Sequence, residues 1–295
     1  AHVSADVLTD VHKLNDKFAE DFAKLNPDVK TGARMKASSM NFGSRMYHIN
    51  RQFLLGSKID MVANHVVDEI NEGRKPVIGV ESTAASLLDQ LIETKALSSA
   101  EQAELEGLNQ SETLTEEGKA RLKELNKIIA DSAKDLEFKE PPQFKDYLNL
   151  MLNKLGTITI KNGYGVVTKT SIKDDPNFIS LKDNIKEKID ELPYIPLTPL
   201  DLVREKLHEN AMTICEISGR TKSGQRYLKK VTQDLEVDGV KQKQTIWAVR
   251  QFPQMDHAEE IGKFQNGTYD AAVITRSGST GYSLHATNKY ENSDY

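Results

Sequence analysis

The sequence predicts an α/β fold in which helices flank a parallel β-sheet. Three short apolar runs, KPVIGVES, MTICEISG and YDAAVIT, have the length and β-branched content of buried strands. Each run lies beside a segment with helical periodicity, and this alternation is typical of parallel sheets. The chain has 295 residues, 38% of them hydrophobic and 28% charged, which is enough for one large or two small globular domains.

Residues 1–50 are predicted to form an N-terminal helical extension of helix, loop and helix. Its stretch TGARMKASSMNFGSRMYHINR is poor in acids and carries cations at Arg34, Lys36, Arg45 and Arg51. This stretch is either a basic face or the solvated surface of a helix.

Residues 51–97 are predicted to be the first part of the sheet domain. Apolar residues recur there at spacings of three and four, at Ile59, Val62, Val66 and Ile70. This spacing predicts a helix that ends at Gly73. A buried strand, VIGV, should follow, and Ser82 or Thr83 should cap the next helix, AASLLDQLIETKAL.

Residues 98–197 are predicted to form a mainly helical insertion that contains a β-hairpin. Capping boxes are expected at Ser98 with Glu101 and at Thr113 with Glu116. The segment TITIKNGYGVVTKT favours a hairpin with a two-residue turn at Asn162-Gly163, and an amphipathic helix should follow at about residues 177–191.

Residues 198–295 return to the α/β pattern. Thr198 is expected to cap a helix that has Pro199 at its first position. The segment LEVDGVKQKQTIWAV predicts a second hairpin that turns at Asp238-Gly239. The helix in QMDHAEEIGKFQNG should end at Gly267, before the strand YDAAVIT.

Several chemistries have no motif in this sequence. It contains no GxxxxGK[ST] phosphate loop, no GxGxxG, no HExxH and no GxSxG nucleophile elbow. The single cysteine, Cys215, excludes a disulfide framework and makes a zinc site unexpected. Because Cys215 lies within an apolar strand, a buried and inert thiol is expected rather than a nucleophile.

Charge and targeting signals limit the expected location and partners. The net charge is −5, whereas a dedicated nucleic-acid binder is usually basic, so any nucleic-acid contact should be a local patch or be shared with another domain. No signal peptide is visible in AHVSADVLTD, and no apolar run approaches the length of a membrane span. A cytoplasmic protein without a membrane partner is therefore expected.

The segment after the last predicted strand carries the strongest functional signal. Ligands of parallel α/β sheets bind at the carboxyl ends of strands. Here the strand leads into a loop of small, hydroxyl-bearing and cationic residues, with candidate contacts at Thr275, Arg276, Ser279, Thr280 and Gly281. Such a loop suits a phosphate of a nucleotide or of a nucleic-acid backbone, and the alternative is a flexible Gly/Ser turn.

A second segment, Ser218-Gly219-Arg220-Thr221-Lys222, also follows a predicted strand. It carries two cations and two side-chain hydroxyls. If both strands are parallel, this segment should reach the same sheet edge as Thr275, and Gly219 and Arg220 become candidate contacts. The alternative is a solvated loop.

Three separated stretches resemble the C-terminal helicase domain of strawberry-notch proteins and their phage and plasmid relatives. They are RQFLLGSKIDMVANHVVDEINEGRKPVIGVEST (51–83), LDLVREKLHENAMTICEISGRT (200–221) and EEIGKFQNGTYDAAVITRSGSTGYSLHA (259–286). The third is similar to the family's helix end, strand and Ser/Gly-rich loop, which is helicase motif V. Order and spacing agree in all three, and they cover about a third of the chain.

The resemblance implies the second, RecA-like motor domain of a superfamily-2, ATP-dependent helicase or translocase. Residues 51–97 and 198–295 would be its two parts, and the chain would end before the last helicase motif. ATP and Mg²⁺ would be bound mainly by an N-terminal RecA-like domain of the same or another chain. By itself the present chain is expected to hydrolyse no ATP.

The resemblance also implies which residues contact nucleic acid, with DNA as the expected ligand. By motif they are Ser82, Thr83, Gly219, Arg220, Thr275, Arg276, Ser279, Thr280 and Gly281. Arg276 stands where many relatives have a different residue, and Tyr282 replaces the usual aliphatic side chain. Similar domains occur in phage antirestriction proteins, so host cytoplasm or packaging in a virion is expected.

A second hypothesis is a helicase-derived, non-catalytic interaction or structural module, associated with a virion. The acidic net charge, the polar helical insertion and the position of the chain's last residue favour it. A complete nucleotide-binding enzyme is not expected, because the sequence shows no triphosphate loop and no acid–base or metal constellation.

Overall fold

The computed structural model describes residues 36–37, 55–111, 113–154, 157–161, 167–171, 173–237 and 240–275. In chain order the elements of this part are β1 (Lys36–Ala37), α1 (Ile59–Asn71), β2 (Val77–Val80), α2 (Ala85–Ala96), α3 (Ser99–Gln110), α4 (Glu116–Lys134), β3 (Glu137–Phe138), α5 (Phe144–Lys154), β4 (Thr157–Lys161), β5 (Val167–Ser171), α6 (Pro176–Asp190), α7 (Pro199–Glu209), β6 (Ile214–Ile217), α8 (Gly219–Ser223), β7 (Arg226–Val237), β8 (Val240–Gln251), α9 (His257–Gln265) and β9 (Ala271–Thr275).

The chain divides into two compact units. One comprises residues 1–53 and 143–195, and the other comprises residues 54–142 and 196–295. This division differs from the predicted insertion of residues 98–197, because residues 98–142 belong to the second unit and only residues 143–195 to the first.

A parallel sheet of three strands lies in the second unit, in the order β2-β9-β6. Strand β9 pairs with β2 on one side and with β6 on the other, and both pairings are parallel. Helices pack on this sheet, so the predicted α/β class with a parallel sheet flanked by helices is confirmed. The three apolar runs of the sequence form its three described strands.

The two faces of the sheet pack against different helices. Apolar residues of α1 and α7 share one core with alternate residues of β9 and β6, including Val66, Val203, Ala271 and Val273. The intervening residues of the same strands pack against α9, and this second core contains Cys215, Ile217, Phe264 and Ala272. The alternation follows from the two-residue repeat of a β-strand.

Strand β2 is less buried than predicted. Its residues alternate between exposed and half-buried, and Val77 is 40% exposed. The reason is its position, since β2 is at the edge of the described sheet, whereas β9 is central and almost fully buried. An apolar run alone does not distinguish these positions.

An antiparallel sheet, β3-β8-β7, also belongs to the second unit. Helices α2, α3 and α4 cover it through a core that contains Leu88, Leu125, Leu228 and Val249. Residues 98–142 therefore share a hydrophobic core with the long β7–β8 ribbon, in agreement with their place in the second unit.

The two predicted hairpins differ in their connections. In β7–β8, Val237 is opposite Val240, so two residues connect the strands, which is the predicted length; Asp238 and Gly239 themselves lie outside the described residues. In β4–β5, Lys161 is opposite Val167, so five residues connect the strands. The predicted two-residue turn at Asn162-Gly163 is therefore wrong, although the hairpin itself is present; residues 162–166 lie outside the described residues.

Helix ends test the capping predictions. The capping box of Ser98 and Glu101 is confirmed. The second box, expected at Thr113 and Glu116, is wrong, because Thr115 caps α4 and accepts a hydrogen bond from the backbone N–H of Gly118 (3.1 Å). The expected helix ends at Gly73 and Gly267 are confirmed. Each glycine follows a helix and has a positive φ angle, 82° for Gly73 and 86° for Gly267, which glycine adopts without strain. Thr198 is at the N-cap of α7 without a side-chain hydrogen bond to the helix.

The first unit contains α5, α6 and the sheet β1-β4-β5, whose pairings are antiparallel. Helices α5 and α6 pack together and bury Tyr147, Leu152, Phe178 and Ile189. Strand β1 lies within residues 1–50, where a helix, a loop and a second helix were expected and no strand.

Candidate functional site at the carboxyl-terminal edge of the parallel sheet

The carboxyl ends of three parallel strands meet at one edge. Val80 of β2 is opposite Thr275 of β9, and Ile217 of β6 is opposite Ile274 of β9. The ends therefore coincide to within one residue. As the sequence predicted for parallel strands, the segments that begin at Ser82 and at Ser218 emerge at the same edge as Thr275.

The segment after β2 prepares the start of α2. Ser82 and Thr83 are half-buried, and the Oγ of Ser82 accepts a hydrogen bond from the backbone N–H of Ala84 (3.3 Å). Ala84, with φ of 57°, is the N-cap of α2 and makes no side-chain cap. The prediction that Ser82 or Thr83 caps this helix is therefore wrong by one or two positions, because the chain makes a left-handed turn at Ala84 before the helix begins.

The segment after β6 is a short helix rather than an open loop. Ser218 caps α8 by a capping box with Thr221, whose hydroxyl lies within donating distance of the backbone carbonyl oxygens of Glu216 and Ser218 (both 3.0 Å). The Nε2 of His257 lies 3.2 Å from the same hydroxyl. Gly219 and Lys222 are exposed. In this segment Gly219 therefore presents its backbone to solvent, and Lys222 presents a positive charge.

Arg220 does not provide the exposed cation that the sequence suggested. Its side chain is fully buried and pairs with two carboxylates, Asp201 at 2.7 Å and Glu216 at 2.6 Å. Glu216 also accepts a hydrogen bond from Arg204 (2.5 Å). The physical reason is that Glu216 lies within a buried strand, where an unpaired carboxylate would be costly, so two guanidinium groups compensate its charge.

We call these four side chains, Asp201, Arg204, Glu216 and Arg220, the ion network. Burial alone would raise the pKa of Glu216, but Arg220 and Arg204 outweigh that effect and lower it to about 2. The Glu216 carboxylate is therefore ionised at neutral pH. The network carries two cations and two anions, so its formal charge is zero.

Aromatic rings cover the ion network on one side. The guanidinium carbons of Arg204 and Arg220 lie 4.7 and 5.2 Å from the ring centroid of Phe252, which stacks on Tyr227 with centroids 4.2 Å apart. These rings exclude water and favour the charged guanidinium groups through cation–π contacts. The Oδ2 of Asp201 accepts a hydrogen bond from the backbone N–H of Leu228 (2.9 Å), which ties α7 to β7.

Sequence reasoning missed the role of Asp201, Arg204 and Phe252. A signal was present, because Glu216 stands in the middle of the run MTICEISG, and a carboxylate in a buried strand requires a cation nearby. Arg220 follows it by four residues. The contributions of Asp201 and Arg204 depend on how α7 packs against β6, which periodicity does not specify.

The remaining candidate residues extend from β9. Thr275 is buried at the strand end, 4% exposed. The predicted contacts Arg276, Ser279, Thr280 and Gly281 lie outside the described residues. The structure thus brings Thr275, Ser82 and Gly219 to one edge of the sheet. Arg220 is instead buried in the ion network.

Cys215 is the buried thiol that the sequence predicted. It is 2% exposed, and burial, with a smaller effect from the carboxylate of Glu260, raises its pKa to about 12. A thiol with such a pKa is a poor nucleophile near neutral pH.

The described residues include His, Cys, Asp and Glu side chains, which are common protein ligands of metal ions. Within them, no group of three or more His, Cys, Asp or Glu side chains is placed to hold a metal ion. In the described part of the chain, no helix combines the length and apolar character required to cross a bilayer.

Comparison with known proteins adds no relative. The chain matches no protein-family model, no curated protein and no solved structure. The resemblance to strawberry-notch-type helicases therefore rests on the three stretches of sequence quoted above and stays a prediction.

Proposed function

We propose that this chain is the second, RecA-like motor domain of an ATP-dependent helicase or translocase of the strawberry-notch type. Its own task would be to hold a nucleic-acid backbone, with DNA as the expected ligand. The observation that carries the proposal is the coincidence of three strand ends, at Val80, Ile217 and Thr275, on one edge of a parallel sheet. Parallel α/β sheets bind phosphate-bearing ligands at this edge.

The groups available at this edge suit a phosphate. Helix α2 begins there, and the first N–H groups of a helix point at an anion and carry partial positive charge. Gly219 offers exposed backbone without a side chain, and Lys222 adds an exposed cation beside it. Residues 276–281, for which the sequence predicts a loop, follow Thr275 directly in the chain and would add hydroxyl and backbone donors.

Arg220 has a different role in this proposal from the one expected by motif. Since its guanidinium is buried between Asp201 and Glu216, it would hold α8 and the end of β6 in position, and Gly219 would make the contact. ATP and Mg²⁺ would be bound mainly by an N-terminal RecA-like domain of the same or another chain. The protein would act in the cytoplasm of a phage-infected host.

A binding experiment tests this proposal. We expect the double variant Arg276→Ala with Thr280→Ala to bind a fluorescent single-stranded oligonucleotide at least tenfold more weakly than the unaltered chain. The matched control is Arg250→Ala with Thr245→Ala, which removes the same residue types from exposed positions of β8. Equal affinities of the two double variants would contradict the proposed loop contact.

A second candidate function is a non-catalytic interaction or structural module derived from a helicase. The burial of Arg220 favours it, because the strand-end segment loses one of its two cations to the ion network. The net charge of −5 points the same way. Such a module would bind a protein partner and show no affinity for the oligonucleotide.

A further inference from the structure

A cleft lies between α5 and α6 in the first unit. The cleft has a volume of about 480 Å³, and both helices contribute side chains to its walls. It belongs to residues 143–195, whereas the strand-end edge belongs to the other compact unit. No motif of the sequence drew attention to it.

The walls of the cleft carry a local excess of positive charge. Lys173, Lys182 and Lys186 line it, together with a single carboxylate, Asp183. The lining side chains therefore have a formal charge of +2, three cations less one anion, in a protein whose net charge is −5. Among the described residues, none of the three ammonium groups takes part in an ion pair.

The spacing of the cations suits a chain of phosphates. Lys182 and Lys186 are four residues apart on α6, so they lie on one face of the helix about one turn apart. Lys173 precedes the same helix. Cations in a row along a groove are what a protein uses to follow a nucleic-acid backbone without reading its sequence.

The opposite wall supplies neutral hydrogen-bonding groups. Asn149 and Asn153 line the cleft from α5 and are likewise four residues apart. Their amides donate hydrogen bonds to phosphate or sugar oxygens. The floor is apolar, formed by the buried Leu152 and Phe178, and Ile179 at the rim is 44% exposed. A sugar or base could pack against that exposed side chain.

We propose that this cleft is an additional binding site for the phosphodiester backbone of single-stranded nucleic acid. The inference rests on the proposed nucleic-acid function, and it adds a site in the first unit, with Lys182 and Lys186 as its main contacts. An acidic polypeptide offers carboxylates instead of phosphates, but the function proposed for the strand-end edge favours nucleic acid.

The test compares two double variants of the full chain by fluorescence anisotropy with a labelled oligothymidine. The first is Lys182→Gln with Lys186→Gln. The control is Lys145→Gln with Lys188→Gln, which removes the same charge from α5 and α6 outside the cleft. We expect the cleft variant to bind about tenfold more weakly at ~0.1 M salt, and the control to stay within about twofold of the unaltered chain.

Salt dependence gives a second readout. If each lysine contacts one phosphate, the slope of log K against log salt should become shallower by roughly 1.4 in the cleft variant, which is about 0.7 for each contact with a single strand. The control should keep the slope of the unaltered chain. Equal losses in the two double variants would show an effect of net charge alone and overturn the inference, provided thermal unfolding shows that both variants fold.

Failure of the cleft and failure of the proposed function give different results. If Arg276→Ala with Thr280→Ala weakens binding and the cleft variant does not, the cleft inference is overturned and the strand-end site stands. If only the cleft variant weakens binding, the cleft is supported and the strand-end contact is not. Displacement of the oligothymidine by polyglutamate at equal charge concentration would overturn the choice of nucleic acid as the ligand.

Discussion

Arg220 and Asp201 form an ion pair in which neither side chain is exposed to solvent, with 2.7 Å between Nη2 and Oδ1. The same guanidinium pairs with Glu216, so Arg220 joins α7, β6 and α8. Because these elements position the strand-end edge, the pair connects the stability of the second unit with the geometry of the candidate site.

Removal of Arg220 should destabilise the second unit. Arg220→Gln removes the cation that pairs with Asp201 and leaves Glu216 with Arg204 alone. Breaking a buried pair in this way costs about 3–5 kcal/mol. The control Lys222→Gln alters an exposed residue of the same short helix and should cost less than about 0.5 kcal/mol. Urea unfolding followed by the fluorescence of Trp247, the sole tryptophan, reports on this unit. Equal midpoints for the two variants would contradict a stabilising role for the ion network.

The ion network should weaken in acid. The pKa of Glu216 is lowered from 4.5 to about 2 in the folded chain, so the folded state holds the carboxylate in its charged form. Its contribution to the free energy of unfolding is complete above pH 4.5 and is lost as the pH falls from 4.5 towards 2. The difference in unfolding midpoint between the unaltered chain and Glu216→Gln should therefore shrink between about pH 6 and about pH 3. A constant difference would show that Glu216 does not titrate in this way.

The core shared by α4 and the β7–β8 ribbon should be essential to the second unit. Leu125 has no exposed surface and contacts the core that includes Leu228 and Val249. Leu125→Ala should lower the free energy of unfolding by about 2–5 kcal/mol, through lost burial and the cavity that remains. Lys127→Ala, at an exposed position of the same helix, is the control. If Leu125→Ala left the Trp247 transition unchanged, residues 98–142 would not share a core with the ribbon.

Cys215 should be unreactive in the folded chain. With a pKa of about 12, only about one thiol in ten thousand is ionised at a pH near 8, and the side chain is buried as well. A disulfide reagent such as dithionitrobenzoate should label less than a tenth of the protein in minutes, and one thiol per chain after unfolding in urea. Rapid labelling of the folded chain would show that strand β6 opens readily.

The sequence predicts the sheet well because its signals are local. The runs around Val77, Ile214 and Ala271 each combine β-branched residues with short length, and each is a parallel strand in the structure. The pairing of β7 with β8 was predictable for the same reason, since the dipeptide Asp-Gly between two strand-like segments strongly favours a two-residue hairpin.

Features that depend on tertiary packing were not predictable in the same way. The exposure of Val77 follows from the edge position of β2, and the burial of Arg220 follows from the approach of α7 to β6. The membership of residues 98–142 in the second unit depends on contacts between α4 and β8, more than a hundred residues apart. The cleft between α5 and α6 depends on packing in the same way. Asn149 and Asn153 line it from one helix and Lys182 and Lys186 from the other, and the two pairs come together only when the helices pack.

The salt dependence of nucleic-acid binding by the unaltered chain tests the central claim most directly. A labelled single-stranded oligonucleotide is titrated with protein at several salt concentrations between about 50 and 200 mM. If the chain holds a phosphate backbone, the logarithm of the binding constant should fall linearly and steeply with the logarithm of salt concentration, because bound counterions are released. Absence of binding at the lowest salt concentration, or an affinity that salt does not change, would contradict the nucleic-acid function and favour the interaction module.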